Sequence, residues 1–295
     1  MMRAWLVAMA IAGCGDDELG GPCSATARCE VGVCDLTDPA GPTCISSDGD
    51  LDGDGIRNGA DFCNHQDGGE FDEDRDGIGD VCDRCPIAPP EATPDTDADE
   101  VDSPCDPDSS VGGHRIAVFD GFNAGLPSGW KATAGFQFVS GEAIATPASP
   151  SNVEQLTAPL PLVSQQIAVL GQYRIDAVDP IATDSAAGVI AIDERPAGGA
   201  TVRCTGSRAA GVDQLVLDTD TATGSRVFVD LFDSASLYRI AMQLDGVTGA
   251  CAMIADAETG VAQAATGGNV MNQGGLVANG ATARFQYLLV VQREP

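Results

Sequence analysis

The chain has 295 residues, with 44 acidic and 15 basic side chains, which give a formal net charge of −29 and an isoelectric point near 4.1. This balance excludes a protein that binds nucleic acid through a basic surface, because phosphate backbones attract positive charge. Apolar residues make up 43% of the chain, which is enough for a folded core. Only two histidines are present, so chemistry that depends on imidazole has few places to occur.

The amino terminus has one basic residue followed by an apolar run that is shorter than the roughly 20 residues of a membrane span, and it predicts a secretory signal. The tetrapeptide Ile11-Ala12-Gly13-Cys14 resembles the bacterial lipobox, in which the cysteine is acylated and becomes the first residue of the mature chain. This resemblance implies a signal peptide over residues 1–13, a lipid anchor at Cys14 and an exported protein at the outer membrane or cell surface. An ordinary signal peptide with a chance cysteine is the alternative.

The cysteine count is consistent with an oxidising compartment, because the ten cysteines that remain after Cys14 can pair completely. They fall into three even groups, which are Cys23, Cys29, Cys34 and Cys44; Cys63, Cys82, Cys85 and Cys105; and Cys204 and Cys251. Residues 14–45 hold the first group and predict a small disulfide-held tether, whose pairing stays open. Only one Cys-x-x-Cys motif occurs, so no transition-metal site is favoured.

Residues 46–110 carry 21 acidic side chains and three arginines, a net charge of −18. Runs of alternating carboxylates open at Asp50, Asp72 and Asp95, which are 22 and then 23 residues apart. The first two runs place oxygens at positions 1, 3, 5, 9 and 12 and a glycine at position 6, as a loop needs to wrap six to eight oxygen ligands around Ca²⁺. Mg²⁺ fits less well because it needs a rigid octahedral cage, and a disordered acidic linker is the plain alternative.

The flanking residues decide between families that share such a loop. EF-hands close with glutamate and continue into a helix, whereas these loops close with Asp61 and Asp83, and residues 62–69 cannot form an amphipathic helix. The patterns at 72–83 and 83–86 match those of thrombospondin type 3 repeats, which residues 48–106 resemble. The resemblance implies a chain with little regular secondary structure that is folded around calcium ions.

The same resemblance implies disulfides from Cys63 to Cys82 and from Cys85 to Cys105, and it implies the calcium ligands. The ligands of two ions would be Asp50, Asp52, Asp54, Asn58 and Asp61, and then Asp72, Asp74, Asp76, Asp80 and Asp83. The third run offers Asp95, Asp97, Asp99 and Asp106. It departs from the pattern, with Glu100 at position 6 and Ser103 at position 9, so we expect a weaker site or none.

Residues 111–295 contain many short segments rich in Val, Ile, Phe and Tyr, which predict a mainly β fold with a sandwich architecture. The segments expected to form strands include 116–119, 167–175, 189–192, 215–217, 227–232, 237–244 and 285–291. Cys204 and Cys251 lie in further strand-like segments, as a cross-linked pair would. The runs at 119–122, 126–130, 274–276 and 283–291 resemble the first and last strands of a concanavalin A-like, or laminin G-like, jelly roll.

The sandwich lacks the dense cluster of carboxylates that jelly-roll glycosidases carry on one strand. The nearest candidates are Asp193, Glu194, Asp256 and Glu258, which lie beside Pro or Gly and predict surface turns. His114 is expected to be solvent-exposed, and Trp130 to pack at the edge of the core rather than to stack on a sugar.

These features predict a calcium-binding lipoprotein of the cell envelope with a structural or adhesive role and no enzymatic activity. Its partners would be calcium ions, the membrane through the lipid, and a glycan or surface protein on the sandwich. A carbohydrate-active enzyme and a passive calcium buffer are the alternatives.

Overall fold

The computed structural model describes residues 19–68, 70–89, 94–196, 199–228, 230–255 and 258–294. The chain forms two compact units, Met1–Asp83 and Arg84–Pro295, so the third acidic run belongs to the same unit as the sandwich. The predicted boundaries after residues 45 and 110 stay predictions. Within the described ranges there is no helix, and hence none that is long and apolar enough to cross a membrane. Cys14 lies outside these ranges.

The first unit is mostly irregular where it is described. Its regular structure is a two-stranded antiparallel sheet of β1 (Val33–Asp35) and β2 (Thr43–Ile45). The disulfides of this unit are Cys23–Cys34, Cys29–Cys44 and Cys63–Cys82. Covalent links of this kind compensate for a segment that has too few apolar side chains to build a core.

The second unit contains two antiparallel sheets. Its strands in chain order are β3 (His114–Asp120), β4 (Lys131–Ala132), β5 (Phe136–Val139), β6 (Glu142–Ala145), β7 (Val153–Ser164), β8 (Gln166–Val178), β9 (Asp184–Ile192), β10 (Thr201–Ala209), β11 (Val212–Asp218), β12 (Thr223–Val227), β13 (Tyr238–Asp245), β14 (Thr248–Ala255), β15 (Glu258–Ala265), β16 (Met271–Asn279) and β17 (Ala281–Arg293). The seven-stranded sheet has the order β12-β11-β10-β9-β16-β7-β4. The eight-stranded sheet has the order β15-β14-β13-β8-β17-β6-β5, and β3 also pairs with β17.

The predicted fold class, a mainly β jelly-roll sandwich after an irregular disulfide-rich segment, is confirmed. The predicted strand at 227–232 is wrong, because β12 ends at Val227. Phe228 and Leu231 are nevertheless buried, at 3% and 2% exposure, in a connection where Asp230 adopts a φ of 57°. An apolar segment of sequence indicates that its side chains are buried, and here the buried side chains lie in a loop rather than in a strand.

Side chains along β8 and β17 alternate between two apolar clusters, because successive residues of a strand point to opposite faces. Val169 and Leu288 lie in the main core, with residues of the seven-stranded sheet. Ala168 and Leu289 face the other way and pack with Val101 of the acidic segment. The third acidic run is therefore seated on the outer face of the eight-stranded sheet.

Two disulfides stabilise the second unit. Cys85–Cys105 closes the segment that carries the third acidic run. Cys204 of β10 and Cys251 of β14 are fully buried and bonded, so this disulfide joins the two sheets. The structure thus contains the three bonds that the sequence analysis anticipates, together with the two pairs that it left open.

Candidate metal centres

The three acidic runs fold into loops with one backbone design, named here loop 1 (residues 50–61), loop 2 (72–83) and loop 3 (95–106). In each loop the aspartate at position 1 accepts hydrogen bonds from the amides of positions 4 and 6. The pairs are Asp50 with Gly53 (2.8 Å) and Gly55 (3.1 Å), Asp72 with Arg75 (2.7 Å) and Gly77 (2.9 Å), and Asp95 with Ala98 (2.7 Å) and Glu100 (2.9 Å). The first carboxylate of each run therefore bends the chain around itself.

Positions 4 and 6 have left-handed backbone conformations in all three loops. Glycine occupies both positions in loop 1, whereas loop 3 has Ala98 and Glu100, with φ values of 65° and 72°. A residue other than glycine adopts such a conformation at a cost of about 1 to 3 kcal/mol. Glu100 thus replaces the expected glycine without removing the bend, although a weaker third site stays a prediction.

The side chain at position 9 closes the loop in a way that the sequence did not indicate. The Oδ1 atom of Asn58 accepts a hydrogen bond from the amide of Leu51 at 2.9 Å, and Oδ1 of Asp80 accepts one from the amide of Glu73 at 3.0 Å. In both loops the amide belongs to position 2. Only the folded loop reveals this contact, because it depends on the turn between the two positions.

Several carboxylates converge in loops 1 and 2. The nearest oxygens of the carboxylates at positions 1, 3 and 5 lie within 4.8 Å of one another, which holds for Asp50, Asp52 and Asp54 and for Asp72, Asp74 and Asp76. The Oδ2 atoms of Asp52, Asp61 and Asp74 are buried without a hydrogen-bond partner. Buried anionic oxygens without partners are costly, so these clusters suit a metal ion.

The electrostatics of loop 2 point in the same direction. Burial, followed by the charge of Asp76, raises the pKa of Asp74 to about 6. Burial also raises the pKa of Asp80 to about 7. In loop 1, burial followed by the charges of Asp52 and Asp54 raises the pKa of Asp61. Within each loop the carboxyl groups lie close together in partly desolvated surroundings, where a cation would stabilise their charged forms.

Loop 3 differs from the other two by its contact with His114, the first residue of β3. The Nδ1 atom of His114 lies 2.9 Å from Oδ1 of Asp106 and 3.5 Å from Oδ2 of Asp99. Burial raises the pKa of Asp106, and the charges of Asp99 and Asp97 also raise it. His114 is only 6% exposed, so the expectation that it faces solvent is wrong. The apolar residues around it show no periodic pattern, so its burial could not be inferred from the sequence.

Two of the four carboxylates considered for catalysis, Asp193 and Glu194, are held in ion pairs. Arg195 donates from Nε to Oδ1 of Asp193 at 2.8 Å and from a terminal nitrogen to Oδ2 at 2.9 Å, which lowers the pKa of that carboxyl. Glu194 pairs with Lys131 at 2.6 Å. Asp193 is 4% exposed, so it is a buried residue of the loop after β9 rather than a surface turn residue. Asp256 lies outside the described residues, and Glu258 begins β15.

Aromatic side chains of the second unit are all buried or partly buried. Trp130 packs against the main core, with its ring edge-on to Phe122 at a centroid distance of 6.4 Å, so its predicted place at the core edge is confirmed. The aromatic platform on which many sugar-binding surfaces depend is therefore not presented by these residues. The glycan or protein ligand of the sandwich stays a prediction.

No protein-family model matches the chain, and no curated protein matches it. Solved structures do match the sandwich at low identity. A Bacillus licheniformis β-glucanase is 9% identical over 61% of this chain and 99% of its own, with a TM-score of 0.44. The carbohydrate-binding module CBM66 of Bacillus subtilis is 14% identical over 54% and 92%, with a TM-score of 0.38. The CBM2 module of the evolved Dit protein of Lactobacillus casei BL23 phage J-1 is 12% identical over 62% and 97%, with a TM-score of 0.43. At these values the likeness does not extend to function or ligand.

Proposed function

We propose that loops 1 and 2 each bind a calcium ion and that this protein is a calcium-organised structural or adhesive component of the cell envelope. The observation that carries the proposal is the set of buried carboxylate oxygens without partners in loops whose backbone is already bent for ligation. Calcium accepts six to eight oxygen ligands with flexible geometry, as these carboxylates supply. Magnesium would require a tighter octahedral cage with several retained waters, which this arrangement of carboxylates suits less.

Replacing Asp74 by asparagine tests the site in loop 2. The substitution removes a negative charge from a position 3 carboxylate that has a buried oxygen without a partner, so the full chain should bind one calcium ion fewer. Isothermal titration calorimetry with calcium, together with ion counting by mass spectrometry, measures the change. Asp67→Asn is the matched control, because Asp67 is an exposed carboxylate between the two loops and its removal changes the net charge equally. Equal ion counts in both variants would contradict the assignment.

We also propose that the sandwich binds a ligand rather than catalyses a reaction. The ion pairs of Asp193 and Glu194 support this proposal, because each carboxylate already has a cationic partner. The Asp193→Asn and Glu194→Gln variants should release the same amount of reducing sugar from polysaccharides as the wild-type chain. A polysaccharide that the wild-type chain cleaves and either variant does not would overturn the proposal and favour the carbohydrate-active enzyme.

We also propose a lipid anchor at Cys14, which is supported by the lipobox resemblance and by the even number of the other cysteines. The mature chain is expected to start at Cys14 and to partition into detergent, since acylation with more than one chain gives stable membrane attachment. A Cys14→Ser variant should lose the attachment and appear in the soluble fraction of an expressing bacterium. Mass spectrometry of the amino terminus checks the modification directly. A wild-type protein that is soluble or uncleaved would contradict the anchor.

A further inference from the structure

Loop 3 and β3 bring together two carboxylates and an imidazole, and loop 3 carries a further carboxylate, Asp97. The ligand atoms of Asp99, Asp106 and His114 lie within 4.8 Å of one another. Asp97 adds a carboxylate of which both oxygens are buried without a hydrogen-bond partner, and its charge acts on Asp106. Loops 1 and 2 ligate, in the proposed function, through oxygen atoms alone. Loop 3 is the one among the three whose cluster includes a nitrogen ligand.

The imidazole supplies an observation that is independent of the acidic cluster. His114 is only 6% exposed, and its Nδ1 atom makes no contact that meets the geometry of a hydrogen bond. This atom lies 2.9 Å from Oδ1 of Asp106 and 3.5 Å from Oδ2 of Asp99, so the imidazole is aimed at two carboxylates. Two ligand atoms held about 2.1 Å from one ion at the tetrahedral angle of a four-coordinate site lie about 3.4 Å apart. The 3.5 Å between Nδ1 of His114 and Oδ2 of Asp99 matches this separation, whereas the 2.9 Å to Oδ1 of Asp106 is shorter.

The ligand set selects a class of metal. Calcium is a hard cation that is bound by oxygen ligands, whereas imidazole nitrogen suits zinc and other first-row transition metals. Zinc accepts His nitrogen and Asp oxygen at 2.0 to 2.2 Å, as a rule in four-coordinate sites. We propose that Asp97, Asp99, Asp106 and His114 form a site for a divalent transition metal of the zinc class.

The surroundings hold this site in place. The backbone amide of His114 donates to Oδ2 of Asp99 at 2.7 Å, and the amide of Val101 donates to Oδ1 of the same residue at 3.1 Å. Val101 is anchored in the apolar cluster on the outer face of the eight-stranded sheet, as is Cys105 beside Asp106. The loop and the strand that carry the ligands are thus fixed to one surface. His114 also lines a cavity of about 100 Å³.

This site is separate from the calcium function of loops 1 and 2 and does not depend on it. A metal in loop 3 would link the acidic segment to the first strand of the sandwich by a coordinate bond on each side. Because the two classes of ion differ in ligand preference, one protein sample can be saturated with calcium and then titrated with zinc. Each proposal can then fail while the other stands.

The experiment is a zinc titration of the untagged full chain at saturating calcium. Calorimetry measures the affinity and mass spectrometry counts the bound ions. His65 is the only other histidine and belongs to a different group with Asp35 and Asp38, so the titration starts from the His65→Gln variant. This variant should bind one zinc ion, and adding His114→Gln should weaken that binding by at least tenfold. Adding Asp97→Asn instead should also weaken it. Cobalt in place of zinc should give a visible absorption spectrum that requires His114.

A measurement on the wild-type chain keeps the test valid if a variant fails to fold. The two imidazoles give separate nitrogen NMR signals, and zinc should shift Nδ1 of His114 at saturating calcium. The proposal is overturned if the His65→Gln variant binds no zinc under these conditions, or if the double variant binds it equally well. It is also overturned if the His114 signal is unaffected by zinc, which would leave His114 in contact with Asp99 and Asp106 without a metal ion.

Discussion

Removal of calcium by a chelator is expected to lower the stability of the first unit and to expand residues 50–83. A stretch with this density of carboxylates and few apolar side chains cannot collapse by hydrophobic burial, so self-repulsion expands it when the cations leave. At free calcium of 100 times the dissociation constant, each ion contributes about 2.7 kcal/mol to the free energy of unfolding, so two ions contribute about 5 kcal/mol. The Cys63–Cys82 bond should limit the expansion.

Hydrogen exchange of the full chain with and without calcium locates the effect, and small-angle scattering measures the dimensions. Residues 94–106 should change less than residues 50–83, because Val101 and Cys105 pack on the sheet in the second unit. Fewer than two bound ions, or the same dimensions and exchange in both conditions, would refute the calcium-organised segment. Two ions that bind without any change in exchange would favour the passive calcium buffer.

Removal of the Cys204–Cys251 disulfide is expected to lower the free energy of unfolding of the sandwich by about 4 kcal/mol. The bond joins β10 of one sheet to β14 of the other, so it restricts the unfolded chain across residues 47 apart in sequence. Both cysteines are fully buried, and a Cys204→Ala/Cys251→Ala variant places two small apolar side chains there without leaving free thiols. Guanidinium unfolding in calcium buffer, followed through the fluorescence of Trp130, measures the loss.

The control is a Cys23→Ala/Cys34→Ala variant. That bond spans only 11 residues in the first unit, so its removal should not shift the transition of the sandwich. A loss below about 1 kcal/mol for the Cys204 and Cys251 pair would show that the unfolded chain is already restricted without the bond. An equal loss in both variants would show that the two units do not unfold separately.

The sequence predicts those parts of the molecule that depend on local patterns. Strands such as β8 and β13 follow from Val- and Ile-rich runs between turn residues, because side-chain periodicity is encoded within one segment. The run at 227–232 fails, because its Phe228 and Leu231 are buried by tertiary contacts and not by strand pairing. The alternation of carboxylates identified the loops, whereas the closing contact of Asn58 appears only when the turn is formed.

The role of His114 could not be predicted for a related reason. The residue lies eight positions beyond Asp106, outside the spacing of the acidic loop. It contacts the carboxylate of Asp106 because β3 starts next to loop 3. Glu100 stands where the pattern has glycine, and its backbone keeps the left-handed conformation. At His114 the deciding factor is the packing of the acidic segment on the sheet, which no local pattern records. At Glu100 it is the hydrogen bond from the backbone amide to Asp95.

The pairing of β3 with β17 determines how the sandwich would respond to a pulling force. His114 lies opposite Arg293, and the amide of Glu294 donates to the carbonyl of Gly113 at 2.9 Å, so the two ends of the sandwich meet as neighbours in one ladder. Tension applied at these ends would act along the hydrogen bonds between β3 and β17, because the bonds of an antiparallel pair run perpendicular to the strands. These bonds would therefore break one after another. A load that enters through the amino-terminal side and leaves through the body of the sandwich would instead act along β3 and strain its bonds to β17 together.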